Sequence, residues 1–234
     1  MRLRAELVPR PGLAFPDVAL VVDVIRATTT AVAFLEAGAR EVWFAPDHPS
    51  ALALKARGFW VAGETGGLKP EGFDLGNRPL EALAAQVAGE RVVMSTTNGT
   101  RAAHLAAATA RHLALASLWN RRAAAAWAAG RAREEIAYLA AGKEGGLGLD
   151  DAYTIGASLA ALEGEPEDGA LAALAIFRGY PAEEALGRSA AARALVGVGL
   201  AEDVRAVLEA DRSALVPVLD RREGPYLVFR RSGP

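Results

Sequence analysis

The chain has 234 residues, of which 52% are hydrophobic, 23% charged and 6% aromatic, with a formal charge of -2 and no cysteine. Half the chain is apolar, enough for a substantial core, which excludes a disordered protein; the missing cysteines exclude disulfides, thiolate nucleophiles and cysteine-zinc sites. The three histidines, His48, His104 and His112, show no zinc-ligand spacing, and near-neutral charge argues against a nucleic-acid partner.

Pro9, Arg10, Pro11 and Asp17 interrupt the start of the chain before any apolar signal region can form. The Ala-rich windows 123–129 and 170–176 are too short or too charge-bounded for a membrane span and read as buried helices. A soluble, cytoplasmic protein without a membrane partner is expected.

In chain order, Val18 to Val24 (VALVVDV) is an apolar run broken by one acid, as in a strand buried on both faces. A helix from Ala27 to Ala37 ends at Gly38, and Glu41 to Ala45 forms the next strand. A helix from Pro49 to Ala56, a strand from Phe59 to Ala62, a strand from Arg91 to Met94 and a helix from Asn98 to Ala108 follow. Leu113 to Ala116 and Ile136 to Leu139 are further strands, separated by a helix from Asn120 to Gly130. This alternation predicts an α/β fold with a mainly parallel sheet and flanking helices. Residues 150–210 read as a helical subregion, and Leu215 to Leu219 with Tyr226 to Phe229 as a C-terminal β-hairpin. One domain over residues 1–234 is expected.

In open parallel sheets ligands bind beyond the carboxyl ends of the strands, where loops feed helix N-termini. Four such junctions here are polar. In the first, Asp23 ends an apolar strand, and Arg26, Thr28, Thr29 and Thr30 open a helix. Hydroxyls, free N–H groups and a guanidinium suit a phosphate; alternatively Thr28 caps the helix and Arg26 merely pairs with Asp23. The second runs from Gly63 to Pro79, with Glu64, Asp74, Asn77 and Arg78, and five glycines in the fifteen residues 63–77. Such a loop is either functional or a surface turn needing positive φ. The third, Ser95 to Arg101, places Thr97, Asn98, Gly99 and Thr100 at a helix start, repeating the pattern of the first. In the fourth, glycines from Gly142 to Gly148 lead to Asp150 and Asp151, which either cap a helix or join Asp23, Glu64 or Asp74 around Mg²⁺. These are hard oxygen donors and anion pockets without a cysteine or an obvious histidine base. They point to phosphate-ester chemistry with a divalent cation. GxxxxGK[ST], GxSxG and a two-aspartate D-x-D after the first strand are all absent.

The segments VVDVIRATTT (Val21 to Thr30), GFDLGNRP (Gly72 to Pro79), TTNGTRA (Thr96 to Ala102) and the acidic pair Asp150-Asp151 resemble the 2-phosphosulfolactate phosphatase family of coenzyme M biosynthesis. The resemblance implies a Mg²⁺-dependent phosphatase releasing 3-sulfolactate and phosphate from 2-phospho-3-sulfolactate. Its motifs carry Asp23, Arg26 and Thr28, then Asp74 and Asn77, then Thr97, Asn98 and Thr100. Arg78 stands where members commonly have Ser, and Asp150 where the acidic pair usually begins with Glu.

Asp23, Arg26 and Asp74 are accordingly expected to be catalytic, and Asp23, Glu64, Asp74 and Asp151 to offer oxygens to Mg²⁺. Thr28, Thr29, Asn77, Arg78, Thr97, Asn98, Gly99, Thr100 and Arg101 are expected to bind phosphate or substrate, Arg78 or Arg101 taking a sulfonate or carboxylate. The partner is a small acidic phosphoester, and an apolar helix face in the second half leaves a homodimer open. The competing reading is a non-catalytic sensor that captures an acidic phosphometabolite with the same pockets.

Overall fold

The computed structural model describes residues 1–233. Their strands form one mixed sheet made of two parallel halves joined by a hairpin. In the first half, β2 (Val18–Val22) lies between β7 (His112–Ala116) and β8 (Glu135–Ala140), parallel to both. β1 (Arg2–Glu6) extends this half beyond β8, and the two-residue β9 (Glu165–Pro166) closes the edge. All five residues of β2 are buried, which accounts for its unbroken apolar sequence.

The second half runs β5 (Leu75–Gly76), β4 (Trp60–Gly63), β6 (Arg91–Ser95) and β3 (Glu41–Phe44), again all parallel. Between the halves lies the hairpin of β10 (Pro217–Glu223) and β11 (Tyr226–Arg231). β11 pairs antiparallel with β3 over three residues, whereas β10 meets β7 only at Val218 and Ala114. The last segment of the chain thus joins two units built from earlier segments. Glu41 of β3 fastens it, with Arg221 Nη1 at 3.1 Å and the Arg230 guanidinium as a second partner. The Trp43 indole N–H donates to the same carboxylate at 2.7 Å.

Two helices pack against both halves on one face of the sheet. In α1 (Ala27–Glu36) every residue from Ala27 to Leu35 is buried, so the helix needs no polar stripe. Side chains of α1 and α4 (Gly99–Ala107) share one core with Ala19 and Val21 of β2, Leu115 of β7, Val42 of β3 and Met94 of β6. On the other face of the first half, α5 (Arg121–Ala129), α6 (Leu149–Leu159) and α7 (Asp168–Gly179) enclose Tyr138 and Leu20 in a second core. α6 and α7 touch backbone to backbone: a Cβ on Gly156 would stand 2.1 Å from the Ala173 carbonyl oxygen. Helices α2 (His48–Lys55) and α3 (Pro79–Ala84) flank the second half. The short α8 (Ala182–Gly187), α9 (Ala190–Gly197) and α10 (Ala201–Ala206) make up the rest of the expected helical subregion.

The expected α/β class, parallel strands and terminal hairpin are all present. The sequence reading did not anticipate β1, whose alternating charges sit on a half-buried strand. Nor did it place the hairpin inside the sheet. Among the described residues no helix is long and apolar enough to cross a membrane.

Candidate active site

The packing of α1 beside α4 brings their N-termini together, and with them the loops after β2 and β6. The contact is close: a Cβ on Gly99 would lie 2.5 Å from both Asp23 Oδ2 and Ala27 Cβ. Glycine at the first turn of α4 is therefore what lets the Asp23 carboxylate stand against that helix end. Around this contact is a cavity of about 250 Å³, reached by loops after β2, β4, β5, β6 and β8, by the N-terminus of α6 and by α9.

Three buried carboxylates face it: Asp23, Asp150 and Asp151. Asp23 Oδ1 accepts from the Ala27 amide at 3.2 Å, at the start of α1. Asp151 ties two loops together, Oδ1 accepting from the Val24 amide and Oδ2 from the Gly142 amide, both at 2.9 Å. Burial pushes Asp23 up to about 7, with the negative charges of Asp150 and Glu64 adding to the rise. Burial likewise lifts Asp150 to about 6. Asp151 is raised by burial and by the charges of Asp150 and Asp23. Burial and mutual repulsion therefore disfavour ionising all three acids at once.

Glu64 differs. Burial works to raise it, but its Oε1 accepts from the Thr97 amide at 2.8 Å and its Oε2 from the Gly67 amide at 2.9 Å. Those bonds hold it below the ordinary range, as an ionised staple between the β4 and β6 loops. Two cations line the cavity. Arg26, at the N-cap of α1, is buried; Nη2 donates to the Gly67 carbonyl at 2.6 Å and Nη1 pairs with Asp203 of α10. Lys143 comes from the loop after β8. Asn98 caps α4 without giving its side chain to the helix, and Thr97 adjoins it. Asn77 is also buried at the wall, and its Oδ1 has no partner among the described residues.

The cavity therefore gathers Asp23, Arg26, Glu64, Asn77, Thr97, Asn98 and Asp151 from the expected set. Asp74 does not line the cavity. Its Oδ2 accepts from the Val61 amide at 2.9 Å, its own amide donates to the Val61 carbonyl at 2.8 Å, and Oδ1 meets Lys55 Nζ at 2.6 Å. Those contacts spend the side chain on holding the tiny strand β5 against β4. Thr28, Thr29 and Thr100 are buried, and their hydroxyls donate to the carbonyls of Asp23 (2.9 Å), Val24 (2.8 Å) and Thr96 (2.8 Å). They shape the turns and do not face the cavity. Gly99 acts by its lack of a side chain. Arg78 is occupied elsewhere, its Nε donating to Asp203 Oδ2 at 3.0 Å. Arg101 lines an adjoining pocket of about 170 Å³ that shares Asn98 with the cavity.

Two further acids bear on the site, Asp150 at its wall and Asp203 behind Arg26, and only the first is among the sequence candidates. Asp150 was readable only as half of an ambiguous acidic pair. Asp203 left a fainter signal: with Leu200, Val204 and Val207 it occupies a core-facing helical spacing, where an acid demands a partner.

Among the described residues no three His, Asp or Glu side chains stand ready to hold a metal by themselves. The donor set still fits a hard cation of the Mg²⁺ type, which takes one or two carboxylates and keeps waters. The grouping of the buried Asp23, Asp150 and Asp151 carboxylates at one cavity is the feature that suits it.

A family model described as 2-phosphosulpholactate phosphatase matches residues 4–222. A Thermus thermophilus protein described as a probable 2-phosphosulfolactate phosphatase is 59% identical, the match covering 99% of this chain and 100% of the relative. A Deinococcus radiodurans protein with the same description is 47% identical over 94% of this chain and 93% of its own length. A Prochlorococcus marinus relative, also so described, is 37% identical over 89% of this chain and 91% of its own. The chain belongs to the 2-phosphosulpholactate phosphatase family, a family of phosphomonoesterase hydrolases.

Proposed function

We propose that this chain hydrolyses 2-phospho-3-sulfolactate to 3-sulfolactate and phosphate in a Mg²⁺-dependent reaction at the cavity around Asp23. The observation that carries the reading is the convergence of three buried acids, a buried arginine and two helix N-termini on one pocket. Family membership and relatives described as probable 2-phosphosulfolactate phosphatases support the substrate. In the reaction, the oxygen of water replaces the ester oxygen on phosphorus, the P–O bond to the substrate carbon skeleton breaks, and the leaving oxygen takes up a proton.

Asp23 and Asp150 would hold the cation, with Asp151 fixing the surrounding loops through the Val24 and Gly142 amides. When bound, Mg²⁺ supplies charge neutralisation at the phosphoryl oxygens. The Arg26 guanidinium would face those oxygens with the N–H groups that Gly67 and Asp203 leave free, and the dipoles of α1 and α4 would turn their positive ends to the same cavity. The side-chain amides of Asn77 and Asn98 orient the ester. Arg101, in the adjoining pocket, would take the sulfonate or the carboxylate. Glu64 and Asp151 act by keeping the loops after β2, β4, β6 and β8 in register.

Phosphate release from a panel of acidic phosphoesters that includes 2-phospho-3-sulfolactate tests this, with and without chelator. The expected result is turnover that is fastest on phosphosulfolactate and abolished by chelation. Saturable binding without turnover would establish the sensor instead.

A further inference from the structure

Asp203 belongs to none of the loops that form the cavity. It sits on α10, 177 residues beyond Arg26 in the chain, and is fully buried. A buried carboxylate is strongly unfavourable unless it is paired, and this one has two partners: Arg26 Nη1 and Arg78 Nε, the latter at 3.0 Å. Arg26 is held from the other side by the Gly67 carbonyl at 2.6 Å. A guanidinium has five N–H donors in one plane. These two contacts fix the plane at both nitrogen ends and leave the Nε–H and one hydrogen on each terminal nitrogen for a ligand.

Without that clamp the guanidinium has competing acceptors. Asp23 and Glu64 border the same cavity, and both attract it. An arginine that collapsed onto them would neutralise the acids and be lost to an incoming phosphate. We infer that Asp203 is the positioning residue of this site: it holds Arg26 away from the acidic cluster, in the orientation that receives phosphoryl oxygens. Asp203 itself touches no substrate. The docking of α9 and α10 on the loop after β2, through Leu195, Leu200, Val204 and Ile25, gives it a fixed base. The helical subregion thereby contributes to phosphate binding through a residue outside every phosphate-facing loop.

The inference rests on the phosphatase reading, and the two fail differently. A double-mutant cycle of Asp203→Asn and Arg26→Ala is measured by calorimetric binding of inorganic phosphate and by kcat and KM, with melting temperatures alongside. Asp203→Asn is expected to weaken phosphate binding and lower kcat/KM by at least ~10-fold, and to add less than about twofold once Arg26 is alanine. If the Asn variant does not fold, Asp203→Glu, which keeps the carboxylate but displaces it, is put through the same cycle. Its smaller loss is expected to vanish in the Arg26→Ala background as well. Unchanged phosphate binding in the Asp203 variant, or an equal loss with and without Arg26, overturns the inference while the wild type remains active. A wild type that neither binds nor releases phosphate overturns the phosphatase reading itself.

Discussion

Asp23, at the centre of the proposed reaction, also occupies a costly structural position. It is buried beside two other acids, and its carboxylate is held against the start of α4. Asp23→Asn is expected to lower kcat by at least ~10²-fold, the scale of losing a key electrostatic group. The same substitution removes a repelled buried charge, so the melting temperature in chelator at neutral pH should rise or hold, not fall. Thermal unfolding beside a steady-state assay checks both halves of that expectation. Gly99 is the complementary case. A methyl group there would press on Asp23 and Ala27, so Gly99→Ala should destabilise by about 1–3 kcal/mol and depress turnover together. At this scale the motifs were legible because each clusters its polar residues locally. The direction of each side chain was not. Asp74 and Thr97 look equally catalytic in sequence, yet one faces β4 and the other the cavity.

Among the elements, the C-terminal hairpin carries the clearest electrostatic signature. Glu41 is fully buried, which alone would raise it, but hydrogen bonds from Arg230, Arg221 and Trp43 lower it from 4.5 to about 2. A carboxylate depressed by folding contributes stability above its unfolded value and loses it as pH falls through the folded one. Glu41→Gln should therefore cost about 2 kcal/mol at pH 7. The gap to wild type should close as pH drops from about 4.5 towards 2, as denaturant titrations at several pH values would show. The hairpin itself was readable from its turn and flanking apolar runs. Its insertion between β3 and β7 was not, because strand order depends on which distant surfaces match rather than on local pattern. β1 was hidden for a different reason: its arginines alternate with small apolar residues on a half-buried strand and resemble a solvated terminus.

The whole molecule is two parallel half-sheets wrapped around α1 and α4, and the site exists because these two helices begin at one point. This convergence explains why acids and amides from residues 23 to 151 share a cavity. The sequence showed the junctions one at a time, and an anion pocket recurring at two strand ends was the best hint that they meet. If they do meet around a phosphate, saturating inorganic phosphate should raise the melting temperature of the wild type through mass action, and raise that of Arg26→Ala far less. The central claim is tested most directly by phosphate release from 2-phospho-3-sulfolactate by the wild type and by Asp23→Asn, each with and without chelator. Release is expected from the wild type alone, and only with the divalent cation present. Release by the Asp23→Asn variant at the wild-type rate, or none from either protein under any condition, would contradict it.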